Sequence, residues 1–353
     1  MKKNKFWLAA MAVTVSMASC SLEEVMEQPE PQAIGFSSFV GKPTRAVTEI
    51  VNPNESASGV QTPLTKFYVF GRYGAKDGAD YGNVVYENAE VTVNGSSFTN
   101  VGPADVQYWA LNKDYKFAAY SDGNNSLTTT DKVSFDENGN ITITEYSAGD
   151  KDLILATPNE VQTGATITED NPDAVPLTFN HLLSQVSFQF VGEGFPAGYQ
   201  IKITGLTFSV NNTATYTSSD GLWGDPTTSA PKGYTVASGA AFAFATPTKS
   251  NANFVIPQGY SSNITATFTA TIYDKYNSEV ASKEFTTASL LAESASGIPA
   301  EWVKGYRYQY NIKLTPSEMT NMFPIKFTVT TVSDWVNNAT PGASDDLTNT
   351  ANS

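Results

Sequence analysis

Short apolar or alternating runs separated by turn dipeptides recur along most of this 353-residue chain. Alternation of apolar and polar side chains over a few residues is typical of a β-strand with one buried face. The runs lie at 67–70, 84–86, 91–93, 133–135, 141–143, 186–190, 201–203, 206–210, 254–256, 268–273, 306–314 and 325–329. Many short strands with regular turns predict an all-β chain of the sandwich or barrel type.

Turn chemistry supports this prediction. Asn-Gly occupies 94–95 and 138–139, each time between two predicted strands, and it suits a hairpin turn because both residues accept positive φ. We interpret residues 136–140 as a turn rather than a calcium loop, because they lack the acidic register and the bidentate Glu of such a loop. Residues 288–294 are the only segment that we predict to be helical.

The composition limits both the fold and the function. Only 16% of residues are charged, against about 25% in an average domain, and Tyr and Phe are plentiful. This balance favours β-structure. The net charge of −14 repels phosphate, so we expect no nucleic-acid partner and no attraction to an anionic membrane surface. One Cys and one His exclude an internal disulfide and a multi-His metal centre, and we expect no cofactor.

The single histidine, His181, would have to be the base of any nucleophilic triad. It lies between Phe179 and Leu182 in a strand-like segment, and the chain has no Gly-x-Ser-x-Gly nucleophile elbow. We interpret His181 as a structural, hydrogen-bonded residue and expect that the protein is not an enzyme. Paired carboxylates for glycoside hydrolysis stay open, because their spacing is set in three dimensions.

Residues 1–20 are typical of an export signal. Three lysines precede an apolar run at 6–17, which is too short to span about 30 Å of hydrocarbon as a helix. Small residues then precede Cys20, the only cysteine, in a pattern that resembles a bacterial lipobox with its lipidated Cys. We expect lipidation at Cys20, which would be the chain's only contact with a membrane. An ordinary signal peptide is the alternative.

Two segments follow the signal. Residues 21–31 are polar and acidic with prolines, which predicts a disordered tether. Residues 34–40 are strand-like, and the polar, proline-containing stretch at 42–46 is expected to be exposed and easily cut by a protease.

Motifs follow one another in a set order at 34–36 with 44–46, 108–109, 115–120, 152–156, 177–182, 254–258, 302–310 and 325–335. Each motif is weak alone, and their order and spacing carry a resemblance. Over nearly the whole chain they resemble the fimbrillin family, the subunits of type V pili.

The resemblance implies two tandem β-sandwich domains of transthyretin-like Greek-key topology and a lipoprotein precursor. It also implies that an Arg-specific protease cuts between Arg45 and Ala46 and removes the first strand, after which a terminal strand of another subunit fills the vacated groove. An ordinary loop arginine is the alternative for Arg45. The expected segments are the signal peptide 1–20, the tether and removable strand 21–45, sandwich domains 46–181 and 182–335, and a polar flexible tail 336–353.

The removable strand and the last strong strand both begin with Ile-x-Phe, which puts the two side chains on one face. We expect the first strand to fill the groove through Ile34, Phe36 and Val40. The candidate donor strand carries Ile325, Phe327 and Val329. Both segments could instead be ordinary core strands of their own domains.

The function expected from these features is that of a structural and adhesive pilus subunit. Its precursor would be an outer membrane lipoprotein, and its mature form would belong to a cell-surface fimbria. Its partners would be copies of itself or sibling subunits, the maturation protease and an unidentified surface ligand. The alternative is a monomeric surface lipoprotein that binds glycans or host proteins, which retention of residues 34–45 in the mature protein would favour.

Overall fold

The protein is described by a computed structural model over residues 32–40, 49–50, 62–64, 66–94, 97–100, 106–123, 127, 132–149, 151–163, 174–233, 241–260, 264–293, 298–320 and 327–333. Strands dominate these residues, which confirms the predicted all-β sandwich class. No helix among them is long and apolar enough to cross a membrane.

The elements follow one another in chain order. They are β1 (Phe36–Val40), β2 (Glu49–Ile50), β3 (Thr62–Pro63), β4 (Lys66–Ala75), β5 (Asn83–Asn94), β6 (Ser97–Asn100), β7 (Lys113–Ser121), β8 (Val133–Phe135), β9 (Ile141–Ser147), β10 (Ile154–Gln162), β11 (Val175–His181), β12 (Ser184–Gly192), β13 (Gln200–Thr217), β14 (Leu222–Trp223), β15 (Thr227–Gly233), β16 (Phe242–Ala243), β17 (Thr248–Lys249), β18 (Asn253–Val255), β19 (Ala266–Tyr273), β20 (Glu279–Thr286), β21 (Tyr306–Leu314), α1 (Pro316–Thr320) and β22 (Phe327–Ser333).

These strands form three large sheets and the small pair β2–β3. The first sheet has the order β1-β11-β10-β7-β4-β5-β6, and the second has the order β17-β12-β21-β22 with β18 also on β12. The third has the order β20-β19-β13-β9-β8, with β14, β15 and β16 also on β13. Neighbours are antiparallel except in two pairs, β1 with β11 and β12 with β21.

Both predicted hairpins are present. Strands β5 and β6 pair, with Asn94 opposite Ser97, so Asn94 is the last residue of β5 and not the turn residue that the sequence predicted. Strands β8 and β9 pair across the second Asn-Gly, where Asp136 Oδ1 accepts the backbone N–H groups of Asn138 (3.0 Å) and Asn140 (2.7 Å). Gly139 has a φ of 78°, which the turn requires and glycine allows. Asp136 therefore acts as a turn residue, as predicted.

Three hydrophobic cores hold the sheets together. The first core lies between the second and third sheets and includes Phe188, Phe190, Phe208, Phe268, Trp302 and Tyr310. The second core lies between one face of the first sheet and β8, β9 and the end of β13, and includes Tyr68, Phe70, Tyr120, Phe135, Ile143 and Tyr216. The third core covers the other face of the first sheet and includes Ile34, Phe36, Phe67, Trp109, Phe117 and Phe179.

The first sheet is consequently buried on both faces. Along β4, Phe67 and Val69 belong to the third core, while Tyr68 and Phe70 belong to the second. Successive side chains of a strand point to opposite faces, so a continuous apolar run is what a doubly covered strand needs.

Strand β13 runs through two cores. Its first half contributes Ile201 and Phe208 to the first core, and its second half contributes Ala214 and Tyr216 to the second. It also pairs with β9, which precedes the domain boundary predicted at 181/182. That boundary stays a prediction, and the third sheet takes strands from both sides of it.

The helix prediction for residues 288–294 was wrong. Residues 288–293 are not helical, and the one α-helix among the described residues is α1. Leu290 and Leu291 are buried in the first core, and the Leu290 N–H donates to Ile264 O at 2.7 Å. The apolar pair anchors an extended segment to the core, and a short apolar run alone does not distinguish that role from a helix.

The buried hydroxyl of Tyr310 links strand β21 to residues 288–293 and generates a first prediction. Trp302 Nε1 donates to the Tyr310 hydroxyl at 2.9 Å, and that hydroxyl donates to Leu290 O at 2.8 Å. Tyr310→Phe leaves both partners without this hydroxyl in the core, so we expect the free energy of unfolding to fall by about 2–4 kcal/mol in urea denaturation. Tyr276→Phe, at a side chain that is 75% exposed, should change it by less than about 0.5 kcal/mol. Equal effects of the two variants would contradict this role.

Candidate functional site

Strand β1 is the terminal strand of the first sheet, and it pairs in parallel with β11. The register runs from Phe36 opposite Val175 to Val40 opposite Phe179. The Val175 N–H donates to Gly35 O at 2.8 Å just before the strand begins. A terminal strand has one strand partner in the sheet, so it can leave without separating any two interior strands.

The segment before β1 is held on its other side by residues 107–109, which we call the clasp. The Ile34 N–H donates to Gln107 O at 2.9 Å, and the Trp109 N–H donates to Gln32 O at 3.1 Å. Ala33 and Tyr108 form the antiparallel bridge between these bonds. The leading end of the strand is therefore bonded to two different stretches of backbone.

Phe36, the first residue of β1, fills an aromatic pocket in the third core, and Ile34 just before the strand belongs to the same core. Ile34 is fully buried and Phe36 is 3% exposed. The Phe36 ring meets three rings edge to face, with centroid distances of 6.4 Å to Phe67, 5.6 Å to Tyr86 and 5.7 Å to Phe117. Such pairs add roughly 0.5–1.5 kcal/mol each beyond their buried area. We call these three rings the aromatic pocket.

Local sequence features shape this pocket. A Cβ on Gly71 would lie 2.8 Å from the Phe117 ring, so glycine at this position in β4 leaves the ring its space. Trp109 closes the neighbouring side, with its ring 5.9 Å from Phe117 and 4.8 Å from Tyr115. Its side chain thus packs against a ring of the pocket, while its backbone belongs to the clasp.

A buried hydroxyl fixes the loop that carries the clasp. The Ala110 N–H donates to the Tyr115 hydroxyl at 2.7 Å. Burial raises the pKa of Tyr115 above its usual value, so the hydroxyl stays neutral over the physiological range. The site is consequently lined by uncharged aromatic groups and backbone amides, and it suits an extended apolar segment rather than a polar small molecule.

The structure locates some of the predicted site residues. Ile34 and Phe36 lie together in the third core, and Val40 lies in β1 opposite Phe179. Phe327 and Val329 lie in β22, opposite Ile312 and Tyr310 of β21, and Val329 packs against the first core. Cys20, Arg45, Ala46 and Ile325 lie outside the described residues. The removable strand and the candidate donor strand thus belong to different sheets.

Sequence reasoning did not identify the clasp or the aromatic pocket. Tyr108 and Trp109 were recognised as a landmark, but nothing local indicates that they pair with residues 32–34. The rings of the pocket come from β4, β5 and β7, and only the sheet brings them together.

His181 is hydrogen-bonded, as the sequence predicted. Its Nδ1 is hydrogen-bonded to Asp152 Oδ2, and the Asp152 side chain is fully buried. Burial raises the pKa of Asp152, an effect that the adjacent His181 opposes. Within the described part of the chain, no cluster of three or more His, Cys, Asp or Glu residues could hold a metal ion.

Comparisons with known proteins give one family. A model described as fimbrillin-like matches residues 44–335. A search of curated proteins found no match.

Several solved structures are similar to this chain at low sequence identity. A candidate cell adhesion protein from Bacteroides uniformis is 16% identical with a TM-score of 0.48, covering 86% of this chain and 100% of its own. The fimbrial anchor protein Mfa2 from Porphyromonas gingivalis is 10% identical with a TM-score of 0.32, covering 80% and 90%. A candidate polysaccharide-binding protein from Bacteroides thetaiotaomicron is 9% identical with a TM-score of 0.38, covering 81% and 92%.

The packing of Phe36 generates a second prediction. Phe36→Ala removes the ring from the aromatic pocket, so we expect the free energy of unfolding of the intact chain to fall by about 3–5 kcal/mol. Ala33→Ser, at an exposed position of the same segment, is the control and should change it by less than about 0.5 kcal/mol. Urea denaturation followed by tryptophan fluorescence measures both. A loss below about 1 kcal/mol for Phe36→Ala would show that the ring does not stabilise the fold.

Proposed function

Because the chain belongs to the fimbrillin-like family, we propose that it is a structural and adhesive subunit of a type V pilus that polymerises by strand exchange. The observation that carries this proposal is the position of β1. It is a terminal strand whose leading residues, Ile34 and Phe36, are buried in a core. Its removal would open the aromatic pocket and the edge of β11 beside it, which we together call the seat of β1. Another strand could then fill this seat.

Loss of β1 and the residues just before it would remove buried side chains from the third core only. Ile34 and Phe36 belong to the third core, and neither is a member of the first or second. Without them, the aromatic pocket and the edge of β11 would be open to water. Unpaired backbone groups beside exposed apolar side chains are a template for strand addition. Refilling the seat would therefore stabilise a polymer without covalent bonds.

The arginines support cleavage after Arg45. The chain has three, at 45, 72 and 307. Arg72 lies in β4 between two strand neighbours, and its Nε donates to Phe135 O at 3.0 Å. Arg307 lies in β21 between β12 and β22. A protease needs an accessible, extended bond, and hydrogen bonds on both sides of a strand prevent this. Arg45 lies outside the described residues, and in the sequence it stands in a polar, proline-containing stretch and is followed by Ala46.

The proposal also includes the lipidation, the location, the domains and the partners of the subunit. The precursor would be lipidated at Cys20 and held in the outer membrane, and the processed subunit would become part of a cell-surface fimbria. It would consist of two sandwich domains, at 46–181 and 182–335. Its partners would be other subunits and an Arg-specific protease.

The strand that carries Phe327 and Val329 is our candidate donor. Like β1, β22 is a terminal strand, so it can leave without separating interior strands. Residues 325–327 repeat the Ile-x-Phe pattern of residues 34–36. Its departure would break its pairing with β21 and remove Val329 from the first core, a cost that filling the seat of a neighbouring subunit would offset.

Limited digestion tests the maturation step. We expect an Arg-specific protease, acting briefly on purified residues 21–353, to produce a single new N-terminus at Ala46. Unheated samples on a denaturing gel should then show a ladder of multimers. Arg45→Gln should give neither the cut nor the ladder. A protein that resists cutting after Arg45 would contradict the proposal and favour the monomeric binding lipoprotein.

Substitution in the candidate donor strand tests the polymerisation step. Phe327→Asp places a charge where the aromatic pocket would receive a ring, so we expect at least a tenfold loss of polymer growth after the cut. Thr328→Asp, at the exposed neighbouring position, should polymerise normally. Mixing the Phe327→Asp variant with the unsubstituted protein keeps the test valid, because a folded variant with an intact seat should end growing polymers. Normal growth of folded Phe327→Asp would exclude this strand as the donor.

A further inference from the structure

Two sets of hydrogen bonds hold the leading end of β1, and they lie on opposite edges of the same stretch of backbone. On one edge, Gly35 O accepts the N–H of Val175. On the other edge, the Ile34 N–H and the Gln32 carbonyl bond to Gln107 and Trp109. The first contact begins a parallel ladder, and the second is an antiparallel bridge.

These two geometries depend on the direction of the strand. Parallel and antiparallel ladders space their hydrogen bonds differently, and reversing one strand converts each type into the other. Val175 and Trp109, which carry the two donor N–H groups, have their side chains buried in the third core. A strand inserted in reverse would leave part of this set unpaired beside a buried aromatic core, which is costly.

The side-chain sites also differ along the seat. Ile34 is buried in the third core at the point where its backbone N–H bonds to the clasp, whereas the Phe36 ring lies among the three rings of the aromatic pocket. Trp109 connects the two sites, because its N–H bonds to Gln32 while its indole packs against Phe117. A strand that replaces β1 has to bond to the clasp first and place a ring in the aromatic pocket two residues later.

We infer that the seat of β1 selects its occupant by chain direction. It takes an extended strand of a second subunit that runs parallel to β11, is held at its leading end by the clasp, and carries an aliphatic residue two positions before an aromatic one. This inference rests on the proposed function and specifies the partner strand that the function requires.

The candidate donor strand satisfies these requirements. Insertion parallel to β11 brings Ile325 to the site of Ile34 and Phe327 to the site of Phe36. Insertion in the opposite direction would bring the aromatic ring to the clasp and the smaller aliphatic group to the aromatic pocket.

Peptide exchange on the cut protein measures this selection. The chain is cut after Arg45 and mixed with an excess of fluorescent nonapeptides, and bound label and the released fragment 21–45 are followed by anisotropy and mass spectrometry. One peptide has the sequence of residues 32–40. A second has the same residues in reverse order, which keeps the composition and the set of side chains on the buried face. In a third, the Ile34 amide nitrogen is replaced by an ester oxygen.

We expect the native-order peptide to displace the fragment with an affinity at least tenfold higher than that of the reversed peptide. We expect the ester to bind about tenfold more weakly than the native-order peptide, because it lacks the donor to Gln107 O. Equal binding of the native-order and reversed peptides would overturn the directional inference while exchange itself stands. An ester that binds as tightly as the amide would overturn the role of the clasp. If no peptide displaces the fragment from a protein that is cut after Arg45, strand exchange and the inference fail together.

Discussion

The burial of both faces of the first sheet is the constraint on which the rest of the structure depends. Strand β4 places Tyr68 and Phe70 in the second core and Phe67 and Val69 in the third. The second-core face packs against β8, β9 and β13, which belong to the third sheet, and the other half of β13 contributes to the first core. The two faces of the first sheet are thus buried by different parts of the chain.

The third core receives two of its large side chains from the stretch that leads into a terminal strand. Ile34 and Phe36 come from residues joined to the sheet through β11 and the clasp, whereas Phe67, Phe117 and Phe179 come from interior strands. A cover at the edge of a sheet can be exchanged with less disruption than an interior strand. This arrangement is why the adhesive and polymeric roles proposed for the chain can reside in an ordinary β-sandwich architecture.

The local features of the fold were largely predictable, and the errors have identifiable causes. The two hairpins, the Asp136 turn and the alternating run of β21 each depend on neighbouring residues, and the structure bears them out. The position of the first turn was wrong by one residue, because Asn94 is the last paired residue of β5. The helix prediction at 288–294 was wrong because burial of Leu290 and Leu291 against distant strands outweighed a weak local preference. The clasp was missed because it joins segments that lie far apart along the chain and carry no mutual signal.

The sequence by itself determined the all-β class, the hairpins and the apolar character of residues 34–36. These properties follow from alternation and turn chemistry. Only the tertiary structure decided that β1 runs parallel to β11, that three rings from separate strands surround Phe36, and that Trp109 contributes to both the clasp and the third core. Strand direction and ring contacts are set by the simultaneous burial of distant segments, and no local pattern encodes them.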